Sequence, residues 1–220
     1  MPPATDSAAP RPRATLSARL AVYLVAISII GVGVALMVEA DLGVAPNDVL
    51  NTGLSDKLGS GVGTAAWITG VVAMGLAWAL GRRPRLATVA GSVIVGLSIN
   101  AALTALPTPD ALAARATYLA LGLAVVWAGI TGVVSVDVGA GPLELVMLAF
   151  MDRGVSIRIS RWGIELTLLL LGLALGGSAG FGTAVFALGT GPALAVTLPR
   201  ATKRLGTALT QPTVVAGGGL

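Results

Sequence analysis

Apolar residues gather into six long blocks, 19–39, 64–80, 86–106, 115–135, 161–177 and 183–199. As helices these reach roughly 25 to 31 Å at 1.5 Å per residue, enough to cross a bilayer. Two further segments, 46–58 and 142–151, are too short to cross. The pattern predicts an all-α polytopic membrane protein with six transmembrane helices and two short re-entrant half-helices.

Composition supports the bilayer as the main partner. Of the 220 residues 55% are hydrophobic and 11% are charged, against about 25% charged in a soluble domain. Mean hydropathy is +0.89. The chain has no Cys and no His, which excludes disulfides, thiolate nucleophiles, Cys or His zinc sites and imidazole catalysis. No nucleophile or metal constellation is visible and no cofactor is implied, so the chain reads as a non-enzyme. Gly59 to Gly63 (GSGVG) lacks the Lys-Ser/Thr ending of a phosphate loop and follows no strand. Nothing points to nucleic acid, and a second copy of the chain is left open as a partner.

Residues 1–18, rich in Pro, Ala, Ser and Thr, read as a disordered cytoplasmic tail, and 200–220 as a second one. Arg11, Arg13 and Arg19 precede the first block in the manner of a signal peptide. That block exceeds the usual h-region and lacks a small-x-small cleavage site, so it reads as an uncleaved span. If both short segments are re-entrant, 12 of the 14 basic residues fall on one side, leaving Lys57 and Arg115 on the other with the 107–114 loop. The positive-inside rule then places both termini in the cytoplasm.

The chain also repeats. At an offset of 96, Asp41 meets Asp137, Gly43 meets Gly139, Pro46 meets Pro142 and Asp48 meets Glu144; at 95, Trp67 meets Trp162, Gly81 meets Gly176 and Thr88 meets Thr183. Each half, 19–106 and 115–199, holds three spans. An odd number makes the second half enter from the opposite face, an inverted 3+3 repeat of the kind found in secondary transporters.

The motifs ADLGVAPNDVLNTGLSDKLGSGVGTAAWITG, GRRPRLATVAGSVIVGLSIN, VDVGAGPLELV and GTAVFALGTGPALA resemble the YczE/YyaS/YitT group of bacterial integral membrane proteins, and its YczE-like branch in particular, over about residues 19–200. The resemblance implies a polytopic protein of the bacterial cytoplasmic membrane and carries no settled substrate or reaction with it.

Pro46 and Pro142 suit the first position of the two half-helices, because proline lacks the N–H that would be unpaired there. Two such N-termini meeting near the midplane, each with free N–H groups and partial positive charge, outline a site for a small solute or ion. Asp48 and Glu144 stand at the third helical position, where two readings are open: stabilising the helix start, or coordinating a cation, proton or polar solute. Asp41 and Asp137 read first as Asx-type turns at span ends and second as ligands. Asn47, Thr52 and Asn100 either line the same cavity or join helices. Glu165 reads as a partner of Arg161, and Trp67 and Trp162 as interfacial anchors. Small-residue spacings at Gly31 and Gly33, Gly91 to Gly96 and Gly172 to Gly180 suit close helix packing. The function expected is transport of a small solute or ion, with a channel-like facilitator or a non-transporting regulatory membrane protein as alternatives.

Overall fold

Thr15 opens the first helix by accepting the Ala18 N–H on its hydroxyl, the usual chemistry of a helix start. The computed structural model describes residues 15–205. These form eight α-helices: α1 (Leu16–Ala40), α2 (Pro46–Leu58), α3 (Val62–Ala79), α4 (Leu86–Ala105), α5 (Leu112–Val136), α6 (Pro142–Met151), α7 (Ile157–Ala174) and α8 (Phe181–Leu205). Arg11, Arg13 and most of both expected tails lie outside the described residues. α1 begins and α8 ends beyond the apolar blocks, so positions 16–18 and 200–205, read as tail, are helical.

Five helices, α1, α3, α4, α5 and α8, are long and apolar enough to cross a membrane. The expectation was six. The block at 161–177 belongs to α7, which starts one turn earlier, at Ile157, where the Ser156 hydroxyl accepts the Ile159 N–H. That turn adds Arg158 to Arg161 and Glu165, and three charges in 18 residues take α7 out of the purely apolar set. α2 and α6 have 13 and 10 residues and are too short to span.

The centre is the α1–α5 pair, packed antiparallel through glycine. A Cβ on Gly33 would lie 2.6 Å from Val126 Cγ2 and 2.9 Å from the Gly122 carbonyl oxygen. One on Gly129 would lie 2.5 Å from Ile30 Cγ1 and 2.8 Å from the Ala26 carbonyl oxygen. The two contacts exchange into each other when 96 is added to one set of numbers and subtracted from the other. Such approach maximises dispersion between backbones where the hydrophobic effect gives no drive. Val34, Met37, Val44, Val49, Ile99, Leu123 and Val126 form the buried cluster beside this seam.

The ends of the pair are tied by a second exchange. Arg115, near the start of α5, donates to the Ala40 and Asp41 carbonyls and pairs with the Asp41 carboxylate at 2.7 Å. Arg19, near the start of α1, donates to the Val136 carbonyl through Nε at 2.7 Å and to the Asp137 carbonyl at 2.9 Å. Each arginine supplies donors to the carbonyls that a helix C-terminus leaves without partners.

The remaining helices follow the same exchange: α4 packs on α1, α8 on α5, α2 on α7 and α6 on α3. At α2–α7, a Cβ on Gly53 would sit 2.9 Å from the Gly172 carbonyl oxygen, and one on Gly172 2.5 Å from the Leu50 nitrogen. At α6–α3, buried Ala77 packs with Leu145 and Val146. Gly31, Gly91, Gly96 and Gly180 serve close contacts as their spacing suggested; Gly176 instead takes φ +86° in the turn after α7, with open space around it.

Gly33→Ala is expected to lower the thermal midpoint of the purified protein, at a cost of about 1–3 kcal/mol from overpacking against backbone. Gly75→Ala, into open space, should leave the midpoint unchanged or raise it slightly. Equal effects would sink the glycine-seam account.

Arg82 binds Asp152 through both carboxylate oxygens, tying the α3–α4 turn to the end of α6. This hydrogen bond holds the exposed Asp152 carboxyl below the usual carboxylate range. A lowered folded-state value makes the tie complete above the ordinary aspartate pKa and lost as pH falls through the lowered one. Melting curves from neutral to acid pH should therefore converge for wild type and Asp152→Asn at the acid end, and parallel curves would refute the link.

Candidate functional site

α1 and α5 each end on an aspartate in the left-handed region, Asp41 at φ 46° and Asp137 at φ 49°, a conformation that short polar side chains tolerate best after glycine. Both residues form left-handed helix caps at the span ends, and the Asp41 carboxylate goes to Arg115. Both aspartates are exposed. Extended backbone at Ala45 and Gly141 then leads into Pro46 and Pro142, as the residue before proline requires.

The connecting segments are pinned to neighbouring helices. The Val44 N–H donates to the Ser178 carbonyl at 3.2 Å, and the Gly182 N–H to the Leu42 carbonyl at 2.7 Å. In the second segment, Ala140 accepts from the Thr88 hydroxyl at 2.8 Å. Gly43, at φ +102°, lies so close to Gly180 that a side chain would meet its backbone. The entrances to α2 and α6 are therefore built into the packing.

The two carboxylates differ. Glu144 turns back on its own helix start, accepting the Gly141 N–H at 2.8 Å, one arm of a capping box. Asp48 makes no such cap. It is 8% exposed, and its Oδ1 accepts from Asn51 Nδ2 at 3.0 Å. Asn51 is fully buried, and its Oδ1 accepts from the Thr69 hydroxyl of α3 at 2.8 Å. A buried chain Asp48–Asn51–Thr69 thus links α2 to α3. Each carboxylate is satisfied within its own helix.

The other expected site residues separate by role. Pro46 is buried at the head of α2, Asn47 beside it is half-buried, and Pro142 is half-buried against Gly70 of α3. Thr52 joins segments: its hydroxyl accepts the Ser178 N–H at 3.0 Å and donates to the Val49 carbonyl. Asn100 does likewise, accepting the Gly63 N–H at 2.9 Å and donating to Thr64 at the start of α3. Glu165 pairs with Arg161 at 2.9 Å. Trp162 is exposed, whereas Trp67 donates to the Val93 carbonyl at 3.1 Å and so braces α3 on α4. Among the described residues, no three Asp or Glu side chains gather where they could hold a metal ion.

Asn51 and Thr69 were not among the expected residues, although the sequence carries a signal for them. At the repeat offsets, Asn51 corresponds to Met147, Thr52 to Leu148, Ser55 to Met151, Thr69 to Ile164 and Asn100 to Ala195. Polar residues cluster around α2 where its counterpart is apolar, and that unmatched set marks the first half as the chemically distinct one.

The family of unknown function DUF6198 matches residues 17–199. An uncharacterized protein of Haemophilus influenzae is 30% identical over 174 residues, covering 78% of this chain and 79% of that one. The uncharacterized membrane protein YczE of Bacillus subtilis is 29% identical over 194 residues, covering 87% and 90%. No solved structure matches. With its apolar helices and a family match over most of its length, the chain belongs to the DUF6198 family as a YczE-like multi-pass membrane protein.

Proposed function

We propose that this protein moves a small solute or ion across the cytoplasmic membrane by exposing a central site alternately to its two faces. The observation that carries the reading is the buried Asp48 on a short proline-led helix, since an ionisable group at such depth is costly and marks a working site. The reciprocal glycine contacts and arginine ties support an inverted 3+3 repeat. In that arrangement α7 is the sixth span, reaching roughly 27 Å with its Arg161 and Glu165 neutralised against each other. α2 and α6 are then re-entrant, and both termini are cytoplasmic.

The half-helices suit this role because each rests on the opposite half, α2 on α7 and α6 on α3. A shift of one half against the other moves both helix starts together, which is what alternating access requires. Asp48 and Asn47 provide the polar surface of the site, and Glu144 stabilises the head of α6.

Single-cysteine labelling tests the topology, since the chain has no native Cys. Cysteines at 83 and 158 should resist a membrane-impermeant reagent added to intact cells, and one at 108 should react. External labelling at 83 would overturn the arrangement.

Transport is tested by metabolite profiling of cells and medium from a deletion strain complemented with variants. Asp48→Asn should match the deletion while leaving expression and melting intact, because Asn has the same shape and its Oδ1 can still accept from Asn51 without ionising. Glu144→Gln should match wild type, and Glu144→Ala should cost about 1 kcal/mol of stability. Profiles identical in deletion and wild type would sink the transport reading.

A further inference from the structure

We propose that Asp48, Asn51 and Thr69 form a proton-linked hydrogen-bond switch between α2 and α3, so that the ion coupled to this site is the proton. The proposal rests on Asp48 being the working carboxylate and adds the means by which its charge state reaches a second helix.

The geometry supplies two complete bonding patterns over the same atoms. With Asp48 ionised, Asn51 Nδ2 donates to Asp48 Oδ1 at 3.0 Å, and the Thr69 hydroxyl donates to Asn51 Oδ1 at 2.8 Å. When Asp48 takes up one proton from solution, its O–H becomes a donor and needs an acceptor. A half-turn of the Asn51 amide exchanges its oxygen and nitrogen at nearly constant shape. Asn51 Oδ1 then accepts from Asp48, and Nδ2 donates to Thr69 Oγ1. The Thr69 proton rotates to the Ala66 carbonyl, which lies 3.2 Å away. No polar group in the chain loses its partner in either state, which matters because buried unpaired groups are costly. The one proton added is the one bound at Asp48.

A fixed cation pair would defeat such a switch, and among the described residues no salt bridge is found at Asp48. α3 and α4 carry no charged residue. The only charged residues of α7 are Arg158, Arg161 and Glu165, and the last two pair with each other. The 175–180 loop against the Thr52 hydroxyl is uncharged. On α2 itself, Asp56 and Lys57 are exposed two turns further on. From α1, Arg19 is held at the end of α5 and Glu39 accepts from Thr108 at 2.6 Å; from α5, Arg115 is held at Asp41. Tyr23 donates to the Ala87 carbonyl, and Tyr118 packs against the apolar cluster that holds Val49. The second half cannot form the same switch, because Met147 and Ile164 stand at the corresponding positions and Glu144 is held in its cap.

The test is an infrared pH titration of the full chain in phosphatidylethanolamine and phosphatidylglycerol vesicles, which needs no substrate and no transport. A protonated-carboxyl band should grow as pH falls, an asparagine side-chain amide band should shift with the same midpoint, and both should vanish in Asp48→Asn. Asn51→Leu should raise the carboxyl midpoint by about one pH unit, because the ionised form loses a charge-assisted donor and the neutral form only an ordinary acceptor. Thr69→Val, a gentler change of the same shape, should lower it by about half a unit, since the ionised state loses its one bond to Thr69 whereas the neutral state loses two, the one from Asn51 Nδ2 and the 3.2 Å one to the Ala66 carbonyl. Thr69→Ser should restore the wild-type value. A carboxyl band that titrates without an amide change, a midpoint unmoved in Thr69→Val, or no titrating band from Asp48 would each overturn the switch. Loss of the metabolite phenotype with the titration intact would instead sink transport and leave the switch standing.

Discussion

A helix that stops leaves its last carbonyls without partners, and in this protein the two central helices answer each other. Arg115 reaches the end of α1 and Arg19 the end of α5, each using a planar set of donors to cover two carbonyls at once. The glycine seam sets how closely the pair approaches, and the arginines set where it ends. The pair can stop where it does, at left-handed Asp41 and Asp137, only because those ends are bonded. The five-residue segments that lead into α2 and α6 start from those fixed points.

From there the short helices have little freedom. Val44 and Gly182 lock the first segment to the start of α8, and Thr88 locks the second to the start of α4. α2 lies so close to the end of α7 that Gly53 and Gly172 admit no side chain. Proline at the head of each short helix removes a donor that would have nothing to bond and sets the chain direction. The head of α2 is thus held by backbone bonds and contacts rather than by its own side chain, leaving the Asp48 carboxylate free of capping. Glu144, by contrast, is spent on its cap.

In the proposed repeat, this division of labour separates a common framework from a chemistry found in the first half alone. The framework positions, glycine, proline, aspartate and arginine, recur across the offset because they solve the same geometric problem twice. The side chains that face between α2 and α3 do not recur. Asn51 and Thr69 give the first half a buried polar chain where Met147 and Ile164 give the second half apolar positions. The proposed coupling therefore has a single carboxylate as its centre.

Where the helices run is legible in the order of residues. Apolar blocks, Pro46 and Pro142, and the 96-residue offset placed all eight elements to within about a turn except at the end of α8, which runs six residues past its apolar block, because apolar patterning and proline act locally. Five of the six expected spans are apolar enough to cross by composition, and α7 falls outside that set because the turn that Ser156 adds brings in Arg158 beyond the apolar block. Partners far apart in the chain follow only from how the helices pack. Arg19 meets Val136 across 117 residues, and Asn51 meets Thr69 only because α2 folds back against α3. Asp48 and Glu144 each stand third in a short proline-led helix and look interchangeable in a sequence. Each finds its partner three residues away, Glu144 the Gly141 amide and Asp48 the Asn51 side chain, and three-dimensional packing adds what no local pattern shows, the Thr69 hydroxyl of α3 against Asn51.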